Sequence, residues 1–372
     1  MLSASLSITG THRILFDLIS GIDRSKFEIF VAYKPEFAGP GNDLTAEVRS
    51  MGIEIVSMRG RQLYSMDGLQ DLFRFVDERC VDILHCWDSL SIAARPIGKV
   101  KWAKMIDTIG NPPVDDSWKY RLANRMTSPL LDGLIFQSEG SREAHHQKGS
   151  YLLYGCEERV IYNAFDLQTI PEYSQETKMQ VRRKYGFSEN EVILLNSGML
   201  NEQKSQEHLI DALPSVLENH KNVRLVILGW GERELILKDH IRSQNLEKHV
   251  FLAGKRQRSE VFEFLSITDI YVTSSLWEGL PMAVLEAMAF RLPVVATDVI
   301  GNREAIADKE TGLLVPALNP HALGEAILTL IINKEIRKKM GDSGWERIKQ
   351  YFSQDRFIRE HELFYMSILN RN

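Results

Sequence analysis

The sequence predicts an α/β protein of two doubly wound domains, each a parallel sheet between layers of helix. Three observations lead there. The chain has 372 residues, and about 150 residues per domain gives roughly two. Its apolar residues fall in continuous runs, such as Val223 to Leu228, rather than in alternation. Strands buried on both faces read this way, and they belong to parallel sheets covered by helices. Between the runs, apolar residues recur at helical spacing, as at Leu209, Ile210, Leu213, Val216 and Leu217, so strand and helix alternate.

The elements follow in order. An amphipathic helix begins around residue 12 with Ile14, Leu15, Leu18 and Ile19 on one face. A doubly wound domain opens with a strand, so the strand ahead of this helix reads as missing or shortened. Strands are then expected at 27–33, 53–56, 83–86, 105–108, 134–136 and 160–162. Residues 166–181 are polar and poor in apolar side chains and read as a linker. Beyond it, strands are expected at 192–195, 223–228, 250–252, 270–273, 294–297 and 313–315. In such sheets ligands bind beyond the carboxyl ends of the strands, here in a cleft expected between the two domains.

Composition removes several function classes. Lys and Arg number 45 against 50 Asp and Glu, a net charge of −5, so bulk electrostatics do not attract nucleic acid. The sequence contains no apolar run long enough for a membrane-spanning helix, and residues 1–10 lack the basic and apolar regions of a signal peptide. Three cysteines, Cys80, Cys86 and Cys156, suit a reducing, cytoplasmic compartment.

Chemistry concentrates in residues 274–290. Glu278 follows a strand, and Pro281 suits the first turn of the next helix. The amides of Met282, Ala283 and Val284 would then be free at the positive end of a helix dipole, a phosphate site by backbone geometry. Glu286 lies one turn on, among Val284, Leu285, Ala287 and Met288. A carboxylate there needs partners: either a ribose diol donating two hydrogen bonds or a group inside the protein. Two further loops follow strands. Gly198 permits close backbone approach to a ligand, and Lys204 six residues on offers a point charge for a phosphate or a solvated surface cation. Gly229-Trp230-Gly231 starts like a dinucleotide fingerprint, but Glu234 holds the third glycine position, so a tight strand-to-helix turn is the reading. No Asp-x-Asp, His-Glu-x-x-His or Cys-x-x-Cys occurs.

Together these residues resemble retaining glycosyltransferases of family 4, which have the two-domain GT-B fold. The E-x7-E motif is Glu278 to Glu286, in the variant Glu278-Gly279-Leu280-Pro281-Met282. Leu292-Pro-Val-Val-Ala-Thr297, Glu304 and Thr311-Gly-Leu-Leu-Val-Pro316 follow as in the family, and Asn163-Ala-Phe-Asp166 looks like the Asn-Gly-Ile-Asp that ends its first domain. The resemblance covers about residues 5–360 and is strong over 190–316. It implies an acceptor domain over 1–168, a donor domain over 169–350, and a last segment, 351–372, crossing back to the first. It implies a hexosyl transfer from a UDP- or GDP-linked sugar to a saccharide or lipid-linked saccharide acceptor, in surface polysaccharide or glycan synthesis, with no metal and no cofactor. Glu278 would contact the donor sugar near the reacting centre. Glu286 would take the ribose hydroxyls, and Lys204 with Gly279 and the amides near Pro281, Met282 and Ala283 would hold the diphosphate. The base would lie near Gly254 and Lys255, and the acceptor near Gly10, His12, His85 and Thr108.

Four places depart from the family pattern: Met199 replaces the phosphate-contacting Arg, Thr9-Gly10 stands for the paired glycines of the first loop, His12 replaces a Glu, and Asp107-Thr108-Ile109-Gly110 stands where many members carry a His. The stretch 95–125 carries Arg95, Lys99, Lys101, Lys104, Lys119, Arg121 and Arg125 with Trp102, Trp118 and Tyr120 interleaved. It is either an ordinary surface or a peripheral contact with an anionic membrane at the inner face. Competing readings are a nucleotide-sugar 2-epimerase of the same fold, a nicotinamide-dependent dehydrogenase, and a nucleotide-sugar-binding relative with weak or lost transfer.

Overall fold

The structure is a computed structural model that describes residues 2–3, 10–33, 44–59, 65–87, 91–113 and 118–371. It divides into two units. One comprises Met1–Ala164 with Gln354–Asn372, the other Phe165–Ser353.

The first unit holds a parallel sheet of strands β1 (Leu2–Ser3), β2 (Phe30–Tyr33), β3 (Glu54–Ser57), β4 (Ile83–Cys86), β5 (Lys104–Ile109), β6 (Gly133–Phe136) and β7 (Glu157–Val160), in the order β3-β2-β1-β4-β5-β6-β7. The opening strand is therefore present but only two residues long. Leu2 pairs with Ala32 on one side and Cys86 on the other. The core gathers Ala32, Leu72, Leu84, Met105, Leu134 and Phe136. The helix Gly10–Gly21 buries Leu15, Leu18 and Ile19 and packs on the last helix, Gln354–Leu369. There Glu362 accepts from the Asp23 amide at 2.8 Å, and Gln354 donates to the Asp17 carbonyl at 3.3 Å.

The second unit holds β8 (Val192–Ser197), β9 (Val223–Leu228), β10 (Val250–Gly254), β11 (Ile270–Thr273), β12 (Val294–Thr297) and β13 (Gly312–Val315), all parallel, in the order β10-β9-β8-β11-β12-β13. The chain winds outward from β8 through β10, returns to the centre and winds the other way from β11. The loops after β8 and β11 thus part at the switch point, where doubly wound sheets take their ligands.

Two expectations need correction. The stretch read as a linker is partly helical: Gln175–Lys184 is a helix capped by Ser174 and packed against the helix Arg258–Ile267. Within it only Val181 is buried, so its apolar pattern is too thin to see in sequence. The strand expected at 160–162 lies at 157–160. It edges the sheet and carries Glu157, Glu158 and Arg159; charge protects exposed edges and hides them from a hydrophobic pattern.

Candidate active site

The loops at the carboxyl edge of the second sheet are bound to one another. After β8, the Gly198 amide donates to the Leu228 carbonyl at 3.0 Å, and the Leu200 amide to that of Trp230 at 2.9 Å. After β9, the Gly229 amide donates to Gly254 at 3.0 Å. Gly229 has a φ of +146°, and a Cβ there would lie 1.8 Å from the Gly198 carbonyl oxygen. Only glycine lets these two turns meet so closely, which accounts for the glycines of this turn without a dinucleotide. Lys255, exposed, brings its Nζ to 5.9 Å from the Trp230 ring centre.

The loop from Gly198 to Gln206 is further clamped to the loop after β11. Leu276 donates its amide to Gln203 at 2.7 Å, and the Ser274 hydroxyl donates to the carbonyl of Ser205 at 2.8 Å. Gln206 donates to the Met199 carbonyl at 2.9 Å. This framework aims Lys204 at Glu278: Nζ lies 2.5 Å from Oε1. The same oxygen accepts from the Ser275 hydroxyl at 2.6 Å, and Gln203 lies 3.4 Å from Oε2. Glu278 is only 5% exposed. Neither partner would be tolerated there alone, because an unpaired charge so buried is costly.

Hydrogen bonds from Thr297, Asn302 and Gly301 hold the loop that carries Glu278. Thr297 donates to the Ser275 carbonyl at 2.5 Å, and Asn302 donates to that of Thr297 at 2.8 Å. The Gly301 amide donates to the Glu278 carbonyl at 3.2 Å, and a Cβ on Gly301 would lie 2.3 Å from the Gly279 carbonyl oxygen.

Beyond Gly279 the helix Met282–Ala289 begins, with Pro281 as its N-cap in extended conformation rather than in its first turn. The Val284 amide donates to the Pro281 carbonyl at 3.1 Å, so it is bonded where the sequence reading expected it to be free. Met282 and Ala283 are the first two residues of this helix. Glu286 sits half-buried between the buried Leu285 and Ala287. Both carboxylates act electrostatically on Tyr271. It is buried, its hydroxyl meets the Ser197 amide and hydroxyl at 3.3 Å, and burial, with Glu286 and Glu278 adding to it, pushes its ionisation well above the usual range. Sequence reasoning passed over Gln203, Tyr271, Ser274 and Ser275. A Ser-Ser pair directly after a strand was the available signal, since short hydroxyl side chains there bond neighbouring loops.

The first unit does not offer its predicted residues in the same way. His85 is buried, with Nδ1 at 2.7 Å from the Tyr365 hydroxyl and Nε2 at 2.6 Å from Thr108 Oγ1. Burial holds its ionisation well below the ordinary histidine range. Both ring nitrogens are bonded inside the unit, which is the structural alternative that the sequence left open for His85 beside the acceptor contact implied by the resemblance. Gly10 opens the first helix; the His12 side chain lies outside the described residues. Arg95, counted among the surface cations, is fully buried and paired with Asp107 at 2.5 Å. Among the described residues no three His, Cys, Asp or Glu side chains gather as metal ligands.

Residues 177–347 match the family described as glycosyl transferases group 1. The match lies within the second unit, Phe165–Ser353. This chain is 30% identical over 236 residues to the uncharacterized glycosyltransferase MJ1059 of Methanocaldococcus jannaschii, covering 55% of this chain and 56% of the relative. To N-acetyl-alpha-D-glucosaminyl L-malate synthase of Bacillus anthracis it is 24% identical over 211 residues, covering 57% and 54%. The chain thus spans about half the length of the curated relatives it matches. Among solved structures, Anabaena Alr3699/HepE in complex with UDP-glucose superposes with a TM-score of 0.85 at 18% identity, covering 98% of each chain. The fold is that of the GT-B glycosyltransferases.

Proposed function

We propose that the protein is a retaining family 4 glycosyltransferase that moves a hexosyl group from a UDP- or GDP-linked sugar to a saccharide or lipid-linked saccharide. The observation that carries this is the grouping of Lys204, Glu278 and the Met282 helix start at the switch point of the second sheet. The Met282 and Ala283 amides and Lys204 would take the diphosphate, and Glu286 the ribose hydroxyls. In the transfer, the bond from the sugar's anomeric carbon to the phosphate oxygen breaks, one to the acceptor oxygen forms, and the acceptor's proton passes to the departing diphosphate oxygen. Charge develops on the departing diphosphate, and fixed donors aimed there lower the barrier. Lys204 then has a second task. In the resting pair it neutralises Glu278; with donor bound it turns to the phosphate, leaving the Glu278 carboxylate, still held by Ser275, beside the sugar. A helix start and a cation supply this stabilisation without a metal.

A second reading, a nucleotide-sugar-binding relative with weak transfer, has its own support. Met199, 43% exposed, stands where the resemblance expects an arginine. Calorimetric titration with UDP, GDP and ADP, in the presence of chelator, tests the site. One nucleotide should bind, and Glu286→Ala should weaken it about tenfold to a hundredfold, the worth of hydrogen bonds to a charged group. No binding, or equal binding by the variant, would sink the donor-site assignment. Turnover of UDP-glucose and GDP-hexoses then separates transferase from binder.

A further inference from the structure

The helix Trp118–Thr127 of the first unit is inside out. Its inward positions are polar: buried Asn124 donates to the Ser150 carbonyl at 2.9 Å, and Arg95 donates to the Asn124 carbonyl at 3.3 Å and to the Thr127 hydroxyl at 2.8 Å. Its outward positions carry Trp118, Leu122 and Met126, which are 65%, 51% and 72% exposed. Spaced four residues apart, they form one stripe of about 12 Å at 1.5 Å per residue. Lys119, Arg121 and Arg125 flank it, and among the described residues none of them makes an ion pair. The helix itself contains no acidic residue. Water does not favour such a stripe, and a ten-residue helix that hides its amides and shows its large apolar side chains has a surface to meet.

We propose that this helix docks the protein on an anionic lipid surface, with Trp118, Leu122 and Met126 entering the headgroup boundary and Lys119, Arg121 and Arg125 facing lipid phosphates. Two points on the helix select that occupant. The cations ring the apolar stripe, which matches the layering of a bilayer surface. Three side chains fall far short of the ~800 Å² per partner that a stable dimer buries, whereas a membrane needs only shallow insertion. The net charge of −5 does not oppose this, since charges beyond about 8–10 Å are screened. The surface is narrower than the stretch 95–125, because Arg95 is buried, Lys101 pairs with Asp77 and Lys104 with Asp132.

Flotation of the full chain with phosphatidylcholine vesicles, with and without phosphatidylglycerol, tests this. Binding is expected only with phosphatidylglycerol, and to fall as salt rises. Arg121→Gln with Arg125→Gln should weaken it about thirtyfold at low salt, from ~1 kcal/mol per cation near the surface. Leu122→Ser with Met126→Ser should weaken it at least tenfold. All four positions are exposed, so the denaturant unfolding transition of the first unit should stay unchanged, which reports that its fold is intact. Three outcomes would each overturn the proposal: no binding to anionic vesicles, unchanged binding by both variants, or a wild-type dimer in light scattering that Leu122→Ser with Met126→Ser dissociates.

Discussion

The two units share one construction and treat the carboxyl ends of their strands in opposite ways. In the second unit, backbone amides and short hydroxyl side chains tie the loops together, and charged groups are left to gather at the switch point. In the first, large polar side chains at the strand ends are turned inward: His85 to Thr108 and Tyr365, Asp107 to Arg95. Trp87 and His361 stack against each other with ring centres 6.0 Å apart. One unit uses its strand-end polarity to hold itself together, the other to make a site. A histidine at a strand end reads the same in sequence whether it faces a ligand or a tyrosine.

The largest test of this contrast lies at Asp107. Its replacement by Leu should strand the Arg95 guanidinium in the core and cost about 3–5 kcal/mol, read as an early unfolding step by denaturant titration. Nucleotide binding by the second unit should survive it. A loss of nucleotide binding in step with that transition would break the contrast. The next effect concerns acid. Burial lowers His361 from 6.5 to about 4, and His85 falls well below 6.5. The unfolded chain therefore takes up protons first, so stability is full above pH 6.5 and declines as pH falls towards 4. His361 alone accounts for at most about 3 kcal/mol, at 1.36 kcal/mol per pH unit. Melting temperatures of wild type and His361→Phe across that window check it: the variant should show the shallower slope. The smallest effect sharpens the other side. Met199→Arg restores a cation beside the proposed diphosphate site and should tighten nucleotide binding about tenfold, the worth of one charge-assisted hydrogen bond. No change would mean that Met199 lies off the phosphate path.

Legibility in the sequence followed the same divide. In the second unit the strands at 223–228, 270–273 and 294–297 are as read, since buried parallel strands are unbroken apolar runs. Glu278 and Lys204 stood out because their loops follow the strands Ile270–Thr273 and Val192–Ser197 directly, and Glu286 because it lies on the helix after the first of these loops. The pairing of Lys204 with Glu278, 74 residues apart, was not, as periodicity carries no information on long-range partners. In the first unit β1 has two residues and β7 is charged, so both ends of the pattern were blurred. The fate of His85 depended on Tyr365, 280 residues away.

That distance has a consequence for how the protein is made. The second unit is continuous in the chain, Phe165–Ser353, while the first draws its last helix from Gln354–Asn372. On a ribosome adding about 5–20 residues per second, the wait between the two parts of the first unit is roughly ten to forty seconds. The second unit can reach its native state during that time. The first must stand with the helix Gly10–Gly21 uncovered and His85 without its tyrosine until the helix Gln354–Leu369 has been made. In the cell the half of the protein that begins first is completed last, and the uncovered apolar face of its opening helix is where a chaperone would find the nascent chain.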